Sequence, residues 1–517
     1  MKNKIKNKIQ LITYPDSFGK NLKELEFILD KHFKNVVSGV HILPFYPSSG
    51  DRGFSPLTHL EVDPSFGSWE DIRSLSDKYD VMADLMVNHI SAESVFFQDY
   101  LEKGKLSDYA DYFITSDKFS RRIKPQREKT PFFLELIERF VNLVRNMDKF
   151  FHTFGVNKFS LKKIYRPRPE NPFVPFVFGD GTVRHIWCTF TNNQIDLDVH
   201  NQDVKNIFKG YIKKLAENGV DIIRLDAVGY MVKKRGTTSF MIPETKKAID
   251  WLGNECHKNK VLSLPEIHNH YSYQVEMSNM EEVDLVYDFQ LPLLVLEAIL
   301  NSSCSNLKKW IRIRPTDTVN ALDTHDGIPV VDVEDLLSRE KIDIISDRII
   351  SGGGNEAKRA SGNNGAENVD TYQINCTYFS ALEANEDNYI LARAVQFFIP
   401  GIPQVYYVGL LAGENDIEKL KRTNIGRDIN RHNYSLDEIE SNLNKDVVKR
   451  LIKLMEFRNS YPVFDGEFSL GPSKRDKLIL RWRKNNLFLE AKIDLTKKEV
   501  RVHYLDNESL EEKEVVF

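Results

Sequence analysis

The sequence predicts an α/β protein built around a closed (β/α)8 TIM barrel. Apolar runs rich in Val, Ile and Leu alternate with helical patterns, which is typical of parallel sheets built from βα units. Such units fit either a doubly wound sheet or a barrel. Polar residues end several runs, and a barrel gathers its strand ends at one site. No Gly-x-Gly-x-x-Gly motif opens a helix, which disfavours a dinucleotide-binding sheet. The runs are VSGVHILPF (37–45), DVMADLMVNH (80–89), DIIRLDAV (221–228), VLSLPEIH (261–268), TVNALDTHD (318–326) and GIPQVYYVG (401–409).

Two stretches interrupt the repeat, and a third follows it. One is rich in Phe and Pro and reads as an inserted domain; the second contains a Gly- and Asn-rich loop long enough to be functional or disordered. The chain then ends in short strand patterns such as LILRWRK. The predicted division is barrel 1–87, inserted domain B 88–200, barrel 201–327, a second small insertion carrying an acceptor loop 328–383, barrel 384–465, and a C-terminal β domain 466–517.

Composition and charge narrow the possible partners. The 517 residues carry a formal charge of −4, which gives no reason to expect nucleic acid or an anionic membrane surface. Four scattered cysteines form no Cys-x-x-Cys pair, so reduced thiols are favoured over disulfides or a metal site. The sequence shows neither a secretory signal pattern nor an apolar run of about 20 residues, so a cytoplasmic location away from membranes is expected.

The candidate catalytic residues are carboxyls at three predicted strand ends. Arg224 and Asp226 share one face of their strand, because side chains two apart point the same way. A nearby positive charge lowers a carboxyl pKa, so Arg224 is expected to keep Asp226 ionised as a nucleophile. Burial at an apolar mouth raises a carboxyl pKa, which suits Glu266 to general-acid work. With Asp326, which follows His325, these acids match glycoside chemistry with an oxocarbenium-like transition state.

The bland alternative is that each acid is only a salt-bridged carboxylate. For a single acid this interpretation competes evenly with a catalytic role. Three acids at strand ends favour the catalytic role. His89 could instead be a satisfied core histidine, which is the commoner role for a lone histidine in an apolar run. The aromatic residues near the strand ends could be core, or could form a platform for a sugar ring; they are Phe54, Phe190, Tyr230 and Phe240.

The motifs resemble a known family. DLMVNH, DIIRLDAVGY, LPEIH and NALDTHDG are similar to the four signature strands of the α-amylase superfamily, glycoside hydrolase family 13. QLITYPDSFG, GVHILPFYPSSGDRGFSP, IYRPRPENPF, AVQFFIPGIPQVYYVGLLAGENDIEKL and IGRDINRHNY resemble its sucrose phosphorylase subgroup. The resemblance covers nearly the whole chain except about residues 118–160 and the C-terminal tail. It implies the barrel, the two insertions and the C-terminal β domain named above.

The resemblance also implies residue roles. Asp226 matches the nucleophile, Glu266 the general acid/base and Asp326 the transition-state stabiliser. The implied substrate-binding residues are Asp51, Phe54, His89, Phe190, Gln194, Arg224, Tyr230, His268, His325 and Arg431. The implied acceptor- and phosphate-binding residues, on two mobile loops, are Arg168, Asp370, Tyr372 and Gln373.

The activity that the resemblance implies is a retaining double displacement. The glucosyl unit of sucrose would pass to phosphate, giving α-glucose 1-phosphate and fructose, with phosphate as co-substrate, no cofactor and no metal. A homodimer is also implied. The alternatives are phosphorolysis of sucrose 6-phosphate, glucosylglycerol or glucosylglycerate, hydrolysis by an α-glucosidase, and an inactive amylase-like binding module. Val369 and Thr371 stand where leucines are expected in sucrose enzymes.

Residues 119–160 exceed what the subgroup leads us to expect. A basic stretch, SRRIKPQREK, precedes TPFFLELIERFVNLVRNMDKFF, whose apolar spacing predicts a helix beginning after Thr130. The simpler interpretation is that this helix packs on domain B. The more specific hypothesis is that the segment borders the acceptor pocket or forms a dimer contact.

Overall fold

The computed structural model describes residues 5–121, 163–167, 171–360 and 369–517, with the side chains of 120–121, 358–360 and 369–370 left out of the description. The predicted helix after Thr130 and the predicted ligand Arg168 therefore lie outside the described residues. The side chain of Asp370 lies outside them as well.

Eight parallel strands form the predicted barrel, nearly closed. Their spatial order is β10-β11-β15-β1-β2-β3-β8-β9. The amide of Leu285 donates to Ser263 O at 3.2 Å, which links the two ends of this order. The strands are β1 (Gln10–Thr13), β2 (Gly39–Ile42), β3 (Asp80–Met86), β8 (Ile222–Asp226), β9 (Leu262–Pro265), β10 (Val286–Tyr287), β11 (Thr318–Ala321) and β15 (Ile402–Tyr406).

Helices lie in the connections between the barrel strands and pack around the barrel. They are α1 (Leu22–His32), α2 (Trp69–Ser76), α3 (Val95–Lys103), α4 (Ser116–Arg121), α5 (Gln202–Glu217), α6 (Pro243–Lys258), α7 (Ser272–Met277), α8 (Leu291–Leu300), α9 (Ser305–Ile313), α10 (Arg339–Ser351), α11 (Tyr378–Ala381), α12 (Glu386–Phe398), α13 (Tyr407–Leu410), α14 (Ile417–Thr423), α15 (Leu436–Asn442) and α16 (Asp446–Ser460).

Helix α5 shows how the sequence specifies such an element. Asn201 caps it by accepting from the amide of Asp203 at 2.7 Å. Its apolar side chains recur with helical spacing and are buried, and the helix ends just before Gly219, whose φ of 84° suits a left-handed turn. The sequence of residues 203–218 has this apolar periodicity and predicts a helix, which the structure places at Gln202–Glu217.

The chain between β3 and α5 forms small sheets above the barrel. The strands are β4 (His89–Ser91), β5 (Phe173–Val177), β6 (Val183–Trp187) and β7 (Gln194–Asp196). β4 and β7 pair antiparallel, with His89 opposite Asp196. The buried Lys233, from the loop after β8, forms an ion pair with Asp196 and lies 2.5 Å from Asn88 Oδ1. This contact ties the small sheets to the barrel.

The later part of the chain forms two further sheets. A three-stranded sheet follows β11, in the order β12-β14-β13, and a five-stranded antiparallel sheet ends the chain, in the order β16 to β20. Trp482 on the latter donates to Phe398 O at 2.7 Å, which attaches the sheet to α12. The strands are β12 (Ile328–Pro329), β13 (Asn355–Ala360), β14 (Val369–Asn375), β16 (Glu467–Gly471), β17 (Lys477–Lys484), β18 (Leu487–Asp494), β19 (Glu499–Leu505) and β20 (Glu512–Val516).

Candidate active site

The candidate site is a cavity at the carboxyl ends of the barrel strands. It encloses about 590 Å³ of empty space, part of it open to solvent. Its lining residues are Asp51, Phe54, His89, Phe190, Gln194, Asp226, Ala227, Tyr230, Glu266, His268, His325, Asp326, Tyr372, Gln373 and Arg427.

Parallel strand register brings the first two acids together. Asp226 is the last residue of β8, and Glu266 follows β9 directly, with its amide donating to Leu225 O at 3.1 Å. Ala227 turns the chain away with a φ of 51°, and its amide donates to Glu266 Oε2 at 3.0 Å. The two carboxyls therefore enter the cavity from adjacent strands.

Arg224 lies beneath both carboxyls. Its Nη1 is 2.9 Å from Asp226 Oδ1, and its Nη2 is 2.6 Å from Glu266 Oε1. Nη1 also forms an ion pair with Asp84, which is opposite Arg224 on β3. His41 Nε2 binds the other oxygen of Asp84 at 2.8 Å. One guanidinium thus serves three buried carboxyls.

The pKa values of the two cavity carboxyls differ from the expected pattern. Burial, and then the Glu266 carboxylate, raise the pKa of Asp226 above its ordinary range despite Arg224. Burial also acts to raise the pKa of Glu266, but Arg224 and His268 outweigh it and lower that pKa to about 2. The expected contact between Arg224 and Asp226 is present, but the same guanidinium also serves Glu266. Arg224 lies closer to Glu266, and three carboxyls compete for its charge.

The third acid has its own cations. Arg427 Nη1 is 3.0 Å from Asp326 Oδ1 and 3.8 Å from Asp51. Although burial opposes ionisation, Arg427 and then His325 and Arg431 hold the pKa of Asp326 far below its usual range. Asp326 is therefore a permanent negative charge in the cavity wall.

The two arginines of the RDINR segment lie at different depths beside the cavity. Arg427 lines the cavity, whereas Arg431 is 1 % exposed and donates through Nε to His325 O at 2.9 Å. Arg431 was predicted to bind substrate; it is not among the lining residues, but its Nη2 lies 3.7 Å from Asp326 Oδ1 and its Nη1 3.9 Å from Asp51 Oδ1. Arg427 occupies the position facing a ligand, and sequence reasoning missed it. Arg224, 3 % exposed, is likewise a support beneath the cavity floor.

Aromatic and polar side chains form the remaining wall. The rings of Phe54 and His325 stack with centroids 4.8 Å apart, and Phe190 packs edge-on against Tyr230 at 5.4 Å. Phe54 O receives Gln194 Nε2 at 2.9 Å. Phe54 O also lies 2.8 Å from His89 Nε2. Such a wall suits the apolar face of a sugar ring bordered by hydrogen-bonding groups.

Tyr372 and Gln373, both predicted acceptor residues, reach the cavity from β14. Gln373 Oε1 is buried and has no hydrogen-bond partner within the described residues, so it can bind a ligand. Phe240, predicted as part of the aromatic platform, packs instead against Tyr165 at 4.5 Å and is not among the lining residues.

One cluster among the described residues has the composition of a metal site. Ligand atoms of Glu266, His268 and Asp326 lie within 4.8 Å of one another. We assign these groups to sugar chemistry, because Arg224 and Arg427 already neutralise both carboxylates. None of the helices in the described ranges is long and apolar enough to cross a membrane.

The barrel, its insertions and a cavity with three carboxyls at or beyond the carboxyl ends of the strands define an α-amylase-type enzyme acting on glycosides. The family model for the catalytic domain of α-amylase matches residues 28–162. The glucosylglycerol phosphorylase of Marinobacter adhaerens is 42 % identical over 508 residues, 98 % of each chain. The sucrose phosphorylase of Bifidobacterium adolescentis is 42 % identical over 491 residues, 93 % of this chain and 90 % of that one.

A solved structure is similar throughout. The crystal structure of sucrose 6F-phosphate phosphorylase from Thermoanaerobacter thermosaccharolyticum superposes with a TM-score of 0.88 at 40 % identity, over 99 % of both chains. The chain belongs to the sucrose phosphorylase subgroup of glycoside hydrolase family 13, and it is a glycosyltransferase of that type.

Proposed function

We propose that this protein is a retaining phosphorylase that transfers the glucosyl unit of sucrose to phosphate, with α-glucose 1-phosphate and fructose as products. One observation carries the proposal: Arg224 binds Asp226 and Glu266 together at the base of a cavity whose wall holds the ionised Asp326. A nucleophile and an acid held closely together, with no space for an intervening water, are what a retaining mechanism requires.

In the first step, Asp226 attacks the anomeric carbon while Glu266 protonates the departing fructose oxygen. Burial and Glu266 raise the pKa of Asp226, whereas Arg224 and His268 lower that of Glu266, so the attack needs the proton of this pair on Glu266. The pair binds one guanidinium, so protonating Glu266 leaves Arg224 to stabilise the Asp226 carboxylate.

The transition state develops positive charge at the anomeric carbon and ring oxygen. Asp326 supplies a fixed negative charge against it, held in place by Arg427 at 3.0 Å. The stack of Phe54 on His325 gives a rigid apolar wall beside the ring. Together these features favour the oxocarbenium-like state over the bound donor.

In the second step, phosphate attacks the same carbon from the face that fructose left. The bond to Asp226 breaks, and α-glucose 1-phosphate retains the configuration of the donor. Phosphate is already anionic, so it needs cationic partners more than a strong base. Arg168, on the predicted acceptor loop, remains a candidate partner.

The acceptor side supports sucrose as the donor. Tyr372 and Gln373 line the cavity as the resemblance leads us to expect. The departure at Thr371 does not alter the wall directly, because its hydroxyl donates to Glu356 Oε1 on β13 at 2.5 Å. Two observations favour related donors: the glucosylglycerol enzyme matches 98 % of the chain, and the sucrose 6F-phosphate enzyme matches its fold at a TM-score of 0.88.

A donor panel tests the proposal. The protein is incubated with sucrose, sucrose 6-phosphate, glucosylglycerol or glucosylglycerate, with and without phosphate, and glucose 1-phosphate and free glucose are measured. Sucrose should give the highest rate of glucose 1-phosphate, and Asp226→Asn should abolish it. A higher rate with another donor contradicts sucrose as substrate. Glucose released equally with and without phosphate would indicate an α-glucosidase, and no turnover of any donor would indicate an inactive module.

A further inference from the structure

Three histidines line the cavity, and their surroundings differ in charge. Burial lowers the pKa of His89, and it lowers that of His325 to about 3, so both are neutral at pH 7. His268 behaves differently. Burial acts to lower its pKa, but Asp332 and then Glu266 outweigh burial and raise the pKa to about 10.

The position of His268 explains this difference. Its Nδ1 lies 3.4 Å from Asp332 Oδ2, and its Nε2 lies 3.5 Å from Glu266 Oε1. Asp332 is fully buried in the short turn Val331–Val333 of the second insertion. Its other oxygen accepts from the amide of Asn269 at 3.1 Å. The insertion therefore holds both the ring and the backbone next to it.

The groups facing His268 come from every side of the ring. Phe289, just after β10, stacks on it with centroids 3.8 Å apart, and Tyr372 from β14 meets its edge at 5.9 Å. Asp326, after β11, brings a carboxylate oxygen within 4.8 Å of its nitrogen. With Asp332 and Glu266, the ring faces three carboxyls and two aromatic rings. The guanidinium of Arg224 contacts the same oxygen of Glu266 at 2.6 Å.

We propose that Asp332 is a positioning residue that keeps His268 as an imidazolium, and that this imidazolium is the cation that receives phosphate beside Glu266. The inference rests on the proposed phosphorylase function and adds the charge of the acceptor side to it. It gives Asp332, a buried residue of the second insertion, a role in the selection of phosphate as the second substrate.

Electrostatics makes a cation necessary at this place. Phosphate must enter a cavity lined by Asp51, Glu266 and Asp326, and each of these repels a dianion when ionised. Arg427 already neutralises Asp326 and faces Asp51 on the glucosyl side. Among the described lining residues, His268 is the remaining cation, and it lies next to the acid that releases the leaving group.

The test separates the two half-reactions. Asp332→Asn keeps an oxygen to accept from Asn269 and removes only the charge. Fructose release in a single turnover without phosphate reports the first half, and the dependence of glucose 1-phosphate formation on phosphate reports the second. The KM for phosphate should rise about ten- to hundredfold at pH 8, the scale of a charge-assisted hydrogen bond. Fructose release should stay the same or quicken at alkaline pH, because a neutral His268 no longer lowers the pKa of Glu266.

Two controls complete the design. Asp335→Asn removes the carboxylate 3.2 Å from His270, an exposed pair outside the cavity, and should change neither half-reaction. Asp332→Glu should restore the phosphate dependence in part. If Asp332→Asn slows both half-reactions equally, the residue is only structural and the proposal fails. An unchanged KM for phosphate in Asp332→Asn also overturns it.

A readout without substrate separates this inference from the proposed function. Nitrogen NMR of histidine-labelled protein should show an imidazolium signal at pH 8 that is lost in His268→Gln. In Asp332→Asn the same signal should titrate below pH 8. A neutral His268 at pH 8 in the unaltered protein overturns the inference even if sucrose is phosphorolysed. A charged His268 together with no glucose 1-phosphate from any donor refutes the proposed function alone.

Discussion

Arg224 places its Nη2 2.6 Å from the carboxylate of Glu266, and its Nη1 holds Asp226 at 2.9 Å. The same guanidinium reaches Asp84 below, so its charge is shared by three buried acids. A change at this one side chain therefore acts on the nucleophile and on the proton donor together. Both the stability of the barrel and the chemistry of the cavity depend on it.

Arg224→Met should lower the free energy of unfolding by about 3–5 kcal/mol, because it leaves three buried carboxyls without their common cation. Urea unfolding followed by circular dichroism measures this loss. Arg481→Met is the control, since its pair with Glu490 is 46 % exposed on the arginine side and worth less than about 1 kcal/mol. Equal losses in the two variants would contradict the role assigned to Arg224.

Glu266→Gln should separate acid catalysis from nucleophilic attack. With sucrose the rate should fall by about 10²–10⁴-fold, the usual contribution of a general acid. With α-glucosyl fluoride, whose leaving group needs no proton, the loss should be about tenfold or less. Asp226→Asn should abolish turnover of both donors. Initial rates of glucose 1-phosphate formation measure the losses on the two donors. Equal losses in Glu266→Gln would show that Glu266 is not the general acid.

Arg427 and Arg431 should respond differently to the same substitution. Arg427→Met removes a cavity-facing partner of Asp326, so kcat/KM for the donor should fall by about 10²-fold or more. Arg431→Met removes a fully buried support and should chiefly lower the unfolding midpoint. Steady-state kinetics and thermal unfolding of both variants test this contrast. The reverse pattern would restore the direct role predicted for Arg431.

Gly53→Ala should damage the site through the loop that carries Asp51 and Phe54. Gly53 has a φ of 100°, and an added Cβ would lie 2.6 Å from Pro44 O. We expect a loss of about 1–3 kcal/mol in stability and about 10²-fold in donor kcat/KM. Gly181→Ala is the matched control, because its φ of 74° imposes strain while nothing lies within 4 Å of its Cβ. Activity lost equally in both variants would contradict a local effect.

The three acids could be predicted from the sequence because each ends a recognisable apolar run. Parallel strands have the same direction, so Asp226, Glu266 and Asp326 had to meet at one rim of a barrel. The sequence did not show which of Arg427 and Arg431 lines the cavity. Both lie in one short motif, and the 3-10 turn Gly426–Asn430 decides which side chain faces the cavity.

The sharing of the Arg224 charge among three carboxyls could also not be predicted from the sequence. The pairing of Arg224 with Asp226 followed from strand alternation, but the third partner, Asp84, depends on the register between β3 and β8. Asp332 lies 64 residues from His268, and no local pattern joins them. The electrostatic surroundings of the acid pair depend on such distant contacts, which the sequence alone does not show.

The most direct test of the account is the covalent intermediate itself. Glu266→Gln protein is treated with α-glucosyl fluoride in the absence of phosphate, digested with a protease, and its peptides are weighed by mass spectrometry. The account predicts that the peptide containing Asp226 gains one glucosyl unit, that fragmentation places it on Asp226, and that added phosphate removes it as α-glucose 1-phosphate. A glucosyl unit on another residue, or turnover of the fluoride with no adduct and inversion at the anomeric carbon, would contradict it.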